Sequence, residues 1–354
     1  MRLLTGIKPT GMPHLGNYVG AIRPALSLLR ESHGAHGLFF IADYHALIDQ
    51  PDSQTLRKNI LEVAAAWLSF SELWQEPALS DPHDKATSAP AKSAPAKKAT
   101  LYLQSDIPEI FELQWIFSCF TPKGVMNRGH AYKARLQDNV TLGKEGDAGV
   151  NMGLYSYPVL MAADILIAHT DVVPVGIDQK QHVEIACDLA QRLIHNYGNI
   201  LIVPEVYIHK EMGYLKGLDG RKMSKSYGNH LPLFCDEKTL RKWVMKIPTD
   251  SSPPTAAKKC EGTIMEWYEL FASPDDVVAL KKRYLEGIGW GEAKEHLFEA
   301  LRLYFHKPRQ KYAQWMNDPA RLRQCLDEGA EVVRPIAQAT LAHVKKALGL
   351  SSHP

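Results

Sequence analysis

The segment at residues 5–17, TGIKPTGMPHLGN, constrains the fold of this chain more than any other. A short apolar run at residues 1–4 precedes it, and residues 18–22 begin an apolar pattern with helical spacing. A strand, a glycine-rich turn and a helix N-terminus form a corner that binds anions, because backbone N–H groups converge there and the helix dipole favours negative charge. Gly6, Gly11 and Gly16 lack a Cβ, so a flat base or a phosphate can approach the main chain closely. The chain is expected to open with a phosphate-binding turn.

Two polar side chains mark the start of the first predicted helix. His14 and Asn17 are three residues apart, so an imidazole and an amide can lie on the same side of its first turn. Taken alone, such a turn is also typical of an ordinary loop, and a functional interpretation needs a second element elsewhere in the chain.

Strand and helix patterns alternate through the first two thirds of the sequence. Residues 38–43, LFFIAD, form a short apolar run that predicts a buried strand after the helix predicted over 18–30. This β-α-β opening indicates a parallel sheet. Pro24 lies inside that helix, where it removes one backbone hydrogen bond and predicts a bend. Further strands are expected at residues 100–104 and 171–178, a loop at 138–151, and helices at 56–73, 108–120, 156–169 and 179–195.

Beyond residue 229 the strand patterns fade. Helical periodicity predicts helices at residues 238–246, 264–271, 274–285, 290–315 and 319–348. We therefore expect an α/β fold in which a Rossmann-type parallel-sheet domain (residues 1–228) precedes an all-helical C-terminal domain (residues 229–354). Basic residues interleaved with aromatics, as in YFHKPRQKY at 304–312, suit nucleic-acid binding by the helical domain, although a cluster of this kind is also typical of a solvated face.

One stretch of the first domain has a different composition. Ala, Pro, Ser and Lys dominate between about residues 77 and 99, and SAPAK at 88–92 repeats at 93–97. Such a segment cannot bury enough apolar surface to fold, so we expect a disordered surface insertion. A role for its lysines in steering RNA stays open.

Composition limits the compartment and the partners. The 354 residues are 45% hydrophobic and 23% charged, which is ordinary for a globular protein. We expect no membrane partner, because no run of eighteen apolar residues occurs, and no cleaved signal peptide, because the N-terminus has no apolar leader. The five cysteines are scattered without a Cys-x-x-Cys pair, which predicts reduced thiols and no zinc site. A cytoplasmic location is therefore expected, and the net charge of +2 by itself does not indicate nucleic acid.

The second element is GRKMSKSYGN at residues 220–229. Two lysines flank small polar residues in a stretch bounded by glycines. By itself this pattern is typical of a solvated basic loop. In one chain with PHLGN at residues 13–17, the combination is highly specific.

Together the two motifs resemble those of the class I aminoacyl-tRNA synthetases. HLGN at residues 14–17 stands for the family motif HIGH, and KMSKS at 222–226 matches the second family motif letter for letter. Within the class, YPVLMAAD at 157–164 and VGIDQKQHVE at 175–184 look like the tryptophanyl enzymes. The resemblance covers residues 2–350 apart from the insertion. It implies ATP-dependent conversion of L-tryptophan to tryptophanyl-adenylate, transfer to tRNA(Trp), and release of AMP and diphosphate.

The resemblance also implies a nucleotide site. Lys222 and Lys225 would neutralise charge on the triphosphate in the transition state, while His14 and Asn17 donate to the phosphates as further catalytic residues. Positioning and charge stabilisation suffice for this chemistry, so no protein nucleophile is required. Mg²⁺ is expected to bind through the ATP phosphates, with no metal site made by the protein. The predicted ATP-binding residues are Lys8, Pro9, Thr10, Gly16, Asn17, Gly176, Ile177, Asp178, Leu215, Lys222, Met223, Ser224, Lys225 and Ser226.

Asp164 is the predicted determinant of specificity. An indole has one polar atom, an N–H that only donates, and a carboxylate in an otherwise apolar helix is an apt acceptor. Phenylalanine would leave that acceptor unpaired, which is costly. The alternative is a helix carboxylate paired with a nearby backbone group or cation. The resemblance extends the predicted tryptophan-binding set to Tyr157, Met161, Gln179 and Leu4. His45 joins this set because it follows the second predicted strand, where open α/β sheets bind ligands.

Two residues depart from the family pattern. Lys8 stands where many relatives carry a neutral glutamine, so it adds a charge near the substrate carboxylate or the ATP. Leu4 stands where relatives often place an aromatic side chain against the indole. These departures affect the expected geometry of the pocket rather than the reaction.

The resemblance further implies a homodimer, for which the aromatic-rich helix near residues 107–120 is a candidate interface. Three alternatives stay open. A tyrosine enzyme would need an additional polar partner for the phenol. A small nucleotidylyltransferase would not need the long helical C-terminus. A synthetase-like binding protein without catalysis is disfavoured by the intact polar residues of the two motifs.

Overall fold

The computed structural model describes residues 1–71, 98–208 and 215–350, except for the side chains of Lys98 and Asp178. The predicted insertion at residues 77–99 lies outside the described residues apart from Lys98 and Ala99. Those two residues belong to a strand, so the predicted end of the insertion at residue 99 is wrong. They pair with His36 and Gly37 of the neighbouring strand, and this ladder fixes them in the sheet.

The described strands form a single parallel sheet in the order β3-β2-β1-β4-β5. Its members are β1 (Arg2–Ile7), β2 (His36–Ile41), β3 (Lys98–Leu103), β4 (Val172–Pro174) and β5 (Glu205–Tyr207). β2 and β3 lie on one side of β1, and β4 and β5 lie on the other, so the chain changes sides of the sheet at β1. Open sheets of this type bind ligands beyond the carboxyl ends of the strands at such a point.

Helices connect the strands and fill the C-terminal third. Those of the first part are α1 (Leu15–Asn17), α2 (Arg23–Glu31), α3 (Asp43–Ala46), α4 (Ser53–Ser71), α5 (Glu109–Phe120), α6 (Lys123–Met126), α7 (His130–Thr141), α8 (Met152–Ile167) and α9 (Lys180–Tyr197). Those of the second part are α10 (Glu237–Met245), α11 (Thr263–Phe271), α12 (Pro274–Glu286), α13 (Trp290–Tyr304), α14 (His306–Met316) and α15 (Pro319–Ala347). The predicted α/β class with a helical C-terminal part is confirmed.

Strand alternation divides the interior into two hydrophobic cores, one on each face of the sheet. Leu3 faces the core that holds α1, α2 and α4 and most of the C-terminal helices, whereas Leu4 faces the core that holds α5, α8 and α9. The long helix α15 contributes to both cores. Its Leu322 and Leu326 belong to the first core, and the residues from Ala330 onward belong to the second.

The crossing point of α15 lies against the edge strand β3. A Cβ on Gly329 would lie 1.9 Å from the carbonyl oxygen of Leu101, so only glycine lets the helix rest this close to the strand. Glycine inside a helix costs about 1 kcal/mol relative to alanine. That cost is offset here because α15 covers an edge that would otherwise offer unpaired backbone groups to another chain.

The predicted bend near Pro24 takes the form of a widened turn. Residues Tyr18–Ile22 are π-helical, and α2 resumes at Arg23 with Pro24 in its first turn. Proline has no N–H to donate, so it is tolerated where a helix begins. The phosphate-binding corner is thereby joined to α2 by a short irregular segment.

Other boundaries differ from the predictions. Residues 138–141 are helical as the end of α7, and the helix predicted over 290–315 is divided at Phe305 into α13 and α14. The three-residue strand β5 was not predicted because it is too short to show a pattern. None of the helices in the described ranges combines the length and the hydropathy that crossing a bilayer requires.

Candidate functional site

Two adjoining cavities lie beyond the carboxyl ends of β1, β2 and β4. The larger cavity has a volume of about 500 Å³ and the smaller one about 360 Å³. They share the lining residues Thr5, Gly6, Asn17, Val175 and Gln179, so one ligand can extend from one cavity into the other.

The larger cavity has an apolar floor and a polar rim. The floor includes Leu4, Phe40, Ala42, Met161, Ile165 and Val173. The rim includes Lys8, Thr10, His45, Asp49, Tyr157 and Gln179. A ligand with an apolar body and a charged head fits this division.

A buried histidine fixes two of the rim side chains. His182 is 2% exposed, and its ring lies 2.6 Å from the Tyr157 hydroxyl through Nε2 and 2.9 Å from Gln179 Oε1 through Nδ1. An amide oxygen only accepts, so the His182 proton is on Nδ1 and the Tyr157 hydroxyl donates to Nε2. The histidine thus determines how both side chains face the cavity, a role that the sequence analysis did not assign to it.

Asp164 lies behind the cavity and does not line it. The residue is 0% exposed, and its carboxylate accepts hydrogen bonds from Gln104 Nε2 at 2.8 and 3.0 Å and from His45 Nε2 at 2.9 Å. Burial raises the pKa of this carboxyl, and the hydrogen bonds from His45 and Gln104 oppose that rise. Met161, one helical turn earlier on α8, does line the cavity, so the carboxylate lies just beneath the floor.

Gln104 is a part of the site that the sequence analysis missed. It is fully buried directly after β3, and its Oε1 accepts from the backbone N–H of Tyr44 at 3.1 Å while its amide nitrogen holds Asp164. Its place at the end of a predicted strand was a usable signal, because ligand-binding side chains collect there in open α/β sheets.

The smaller cavity is bordered by the HLGN segment. His14 caps α1 in a reciprocal arrangement: its Nδ1 accepts from the backbone N–H of Asn17 at 3.3 Å, and Asn17 Oδ1 accepts from the backbone N–H of His14 at 3.0 Å. Burial lowers the pKa of His14 to about 4, with smaller contributions from the charges of His230 and Lys225. The imidazole is therefore neutral at pH 7 with its proton on Nε2, and both side chains present N–H donors.

The KMSKS segment begins in the second arm of a backbone hairpin, where Lys216 pairs with Lys222. The Met223 N–H donates to the Leu215 carbonyl at 2.8 Å, and the Gly217 N–H donates to the Arg221 carbonyl at 2.7 Å. Leu215, Lys222 and Met223 line the smaller cavity.

Asn229 holds this hairpin in shape. It is 3% exposed, and its Nδ2 donates to Asp219 Oδ1 at 2.6 Å and to the Lys222 carbonyl at 3.0 Å. Its Oδ1 accepts from the Ser224 N–H at 2.8 Å. Asn229 is the last residue of the GRKMSKSYGN motif, and its hydrogen bonds place it at the centre of the loop.

The two motifs touch although about two hundred residues separate them. Lys225 Nζ donates to the Thr10 carbonyl at 2.8 Å, and the Gly16 N–H points at Met223 Sδ at 3.2 Å. The Leu15 N–H also donates to the Leu231 carbonyl at 2.9 Å. Burial lowers the pKa of Lys225, and the nearby Glu62 carboxylate opposes this.

Most of the predicted site residues border the two cavities. The larger cavity collects Leu4, Lys8, Thr10, Asn17, His45, Tyr157, Met161 and Gln179. The smaller cavity collects His14, Gly16, Asn17, Gly176, Ile177, Gln179, Leu215, Lys222 and Met223. Neither lining includes Pro9, Asp164, Ser224, Lys225 or Ser226. The side chain of Asp178 lies outside the described part, and the residues described show no group of three or more His, Cys, Asp or Glu that could hold a metal ion.

A parallel sheet with HLGN after its first strand and KMSKS folded against it defines a class I aminoacyl-tRNA synthetase. The sequence matches the family described as tRNA synthetases class I (W and Y) over residues 1–306. It is 44% identical to a tryptophan–tRNA ligase of Pseudomonas aeruginosa, covering 99% of this chain and 74% of the relative. A tryptophan–tRNA ligase of Bordetella parapertussis is likewise 44% identical, with 99% and 73% of the two chains covered.

A solved structure gives the same result. The tryptophanyl-tRNA synthetase of Campylobacter jejuni, complexed with ADP and tryptophan, superposes with a TM-score of 0.81 at 39% identity, covering 99% of this chain and 100% of that one. The chain therefore belongs to the tryptophan–tRNA ligase family of class I synthetases.

Proposed function

We infer that this chain is a tryptophan–tRNA ligase, which uses ATP to convert L-tryptophan to tryptophanyl-adenylate and then transfers the tryptophanyl group to tRNA(Trp), releasing AMP and diphosphate. One observation carries the inference: an apolar cavity with a charged rim opens into a second cavity bordered by both nucleotide motifs. The 44% identity to tryptophan–tRNA ligases over nearly the whole chain supports the choice of amino acid.

In the activation step, the tryptophan carboxylate attacks the α-phosphorus of ATP and diphosphate leaves. The neutral His14 and Asn17 side chains donate to phosphate oxygens, and the ammonium groups of Lys222 and Lys225 offset the charge that develops on the leaving diphosphate. Gly16 lets the adenosine lie against the backbone, next to Gly176 and Ile177. The remaining members of the proposed ATP-binding set are Lys8, Pro9, Thr10, Asp178, Leu215, Met223, Ser224 and Ser226.

Recognition of the indole is assigned to the floor of the larger cavity. A carboxylate has about four acceptor positions, and the described bonds to Asp164 use three. One acceptor position is thus left for the indole N–H, and the floor beside Met161 has to shift as the ring enters, because Asp164 does not line the cavity. Tyr157, Gln179, Leu4 and His45 surround the ring and the head group.

Mg²⁺ is proposed to enter with ATP. Its preferred ligands are oxygens, and the phosphates supply them. This matches the donor chemistry of the smaller cavity, where His14, Asn17 and Lys222 are suited to phosphate oxygens rather than to a cation.

Three further proposals concern organisation. The helical part after residue 228 would bind the anticodon region of the tRNA. Trp115 of α5 is 69% exposed, which supports a homodimer contact along that helix, because large aromatic side chains are enriched at protein interfaces. A cytoplasmic location is proposed on the basis of the reaction.

The test is exchange of radiolabel between diphosphate and ATP with single amino acids. Exchange that depends on tryptophan and is at least about 10²-fold weaker with tyrosine is expected, since the floor of the cavity offers no second polar partner for a phenol. Exchange with tyrosine alone would overturn the specificity, and exchange with neither amino acid would overturn the ligase assignment.

A further inference from the structure

An ion pair stands at the rim of the larger cavity. Lys8 directly follows β1, and Asp49 ends the short 3₁₀ turn Leu47–Asp49 that follows α3. Lys8 Nζ lies 2.5 Å from Asp49 Oδ2, and both residues line the cavity. The Lys8–Asp49 pair therefore lies at the mouth of the larger cavity, above its apolar floor.

The pair accounts for the fixed charge on that lining. Among the lining residues in the described ranges 1–71, 98–208 and 215–350, Lys8 carries the only ammonium group and Asp49 the only carboxylate. The other polar residues there are hydroxyls, amides and an imidazole. A zwitterionic ligand that enters with its apolar side chain first brings its own ammonium and carboxylate to this rim.

A charged ligand can replace the contact between Lys8 and Asp49 at a small cost in free energy. The side chains of Lys8 and Asp49 are 34% and 64% exposed, and a pair so open to water contributes little to stability. Replacing one exposed ion pair by two pairs with a ligand therefore has a small cost and a net gain in charge-assisted hydrogen bonds.

We propose that Lys8 and Asp49 together recognise the head group of the amino-acid substrate. The Lys8 ammonium binds the α-carboxylate, and the Asp49 carboxylate binds the α-ammonium. This rests on the function proposed above and assigns two charged groups to its substrate. Holding the carboxylate at Lys8, next to Thr10 and the bond that Lys225 makes there, orients the attacking oxygen toward the nucleotide.

Analogues that lack one charge separate the two roles. Tryptamine has no carboxylate, and 3-indolepropionate has no ammonium, but both keep the indole. Dissociation constants for L-tryptophan and both analogues are measured by titration calorimetry on the wild type, Asp49→Asn, Lys8→Gln and the conservative Lys8→Arg. The Lys281–Glu269 pair at 2.6 Å has side-chain exposures of 43% and 40%, so Lys281→Gln and Glu269→Gln serve as matched controls outside the cavity.

Asp49→Asn is expected to raise the dissociation constants of tryptophan and tryptamine about tenfold and to leave that of 3-indolepropionate unchanged. Lys8→Gln is expected to raise the dissociation constants of tryptophan and 3-indolepropionate about tenfold and to leave that of tryptamine unchanged. Lys8→Arg and both control variants should bind all three ligands as the wild type does. The proposal would be overturned if the Asp49→Asn and Lys8→Gln variants bound all three ligands equally more weakly, or if they bound tryptophan as tightly as the wild type. Tryptophan binding with this pattern but without tryptophan-dependent exchange would contradict the proposed function and leave this inference standing.

Discussion

The two halves of the site are built in different ways. The nucleotide half consists of two continuous segments, HLGN at the start of α1 and KMSKS, which begins in a hairpin. They are joined by the bond from the Gly16 N–H to Met223 Sδ. The amino-acid half is assembled from single side chains on β1, β2, α3, α8 and β4 and on the turn before α9, several of which are held by buried partners. The first half depends on the shape of loops, and the second depends on packing around the sheet.

This difference predicts separable effects. Changes in the KMSKS segment should reduce the rate of adenylate formation, whereas changes around Asp164 and His182 should alter which amino acid binds and how tightly. Four experiments, from the largest expected effect to the smallest, test whether the two halves act independently.

Replacing Lys225 by Met removes an ammonium group that the site proposal places at the transition state. We expect the rate of tryptophan-dependent exchange to fall about 10²- to 10³-fold, because donors aimed at developing charge contribute on this scale. Lys259→Met removes an exposed charge elsewhere and should have no effect. A Lys225→Met enzyme with unchanged kcat would contradict the role of this side chain.

Replacing Asp164 by Asn puts an amide in place of the carboxyl group beneath the floor. The preference for tryptophan over phenylalanine should fall about 10- to 10²-fold, the range expected for the loss of a buried hydrogen bond, while the KM for ATP stays unchanged. The exposed Asp188→Asn provides the control on the neighbouring helix α9. Equal loss of ATP and tryptophan binding would mean that Asp164 supports the whole site instead of selecting the indole.

Replacing His182 by Phe keeps the ring and removes both hydrogen bonds to Tyr157 and Gln179. We expect the KM for tryptophan to rise about five- to tenfold with little change in kcat, since each lost bond contributes about 1 kcal/mol or less when the ring remains packed. His182→Gln, which can still donate and accept, should recover part of the loss, and the exposed His195→Phe should change nothing. A fall in kcat without a change in KM would contradict this positioning role.

The pKa of His14 predicts a smaller effect, on stability. Because the pKa is about 4 in the folded protein and near 6.5 in the unfolded chain, the unfolded state binds one more proton between these values. The free energy of unfolding should therefore fall as pH drops below 6.5, with His14 contributing up to about 1.4 kcal/mol per pH unit.

Urea unfolding between pH 7 and 5 measures this contribution as the difference in slope between the wild type and His14→Gln, whose amide oxygen can still cap α1. Identical slopes would show that folding does not lower the pKa of His14. The imidazole would then become charged below about pH 6.5 in the folded protein as well, and its donor role would not be secured by burial.

The same contrast explains what the sequence could predict. The nucleotide half was predicted from continuous motifs, because neighbouring residues in a turn or a loop carry the chemistry together. Leu4 and Met161 of the amino-acid half entered the prediction only through resemblance, and His45 entered through its place after a predicted strand. Asp49 lies in a three-residue turn, and nothing in the local sequence indicates that it meets Lys8, since that contact depends on the packing of two adjacent strands.

Several features of the fold were likewise beyond local patterns. Long amphipathic helices and the apolar strand β2 were predictable from periodicity, but a strand of three residues such as β5 shows none. Asn229 and His182 each make hydrogen bonds to side chains or backbone groups that only the folded chain brings close to them. Their roles therefore could not be predicted from local sequence. Gly329 in a long helix looks unfavourable until the edge strand beside it is known.

That glycine has a consequence for the way the protein is made. The helix that covers β3 is the last element of the described chain, so a nascent polypeptide carries an open strand edge until translation has passed residue 347. Until then the sheet can pair with another chain, and afterwards the edge is closed by α15. Pairing of another chain with this edge thus requires that α15 has not yet packed, and the length of that interval depends on the position of one helix in the sequence.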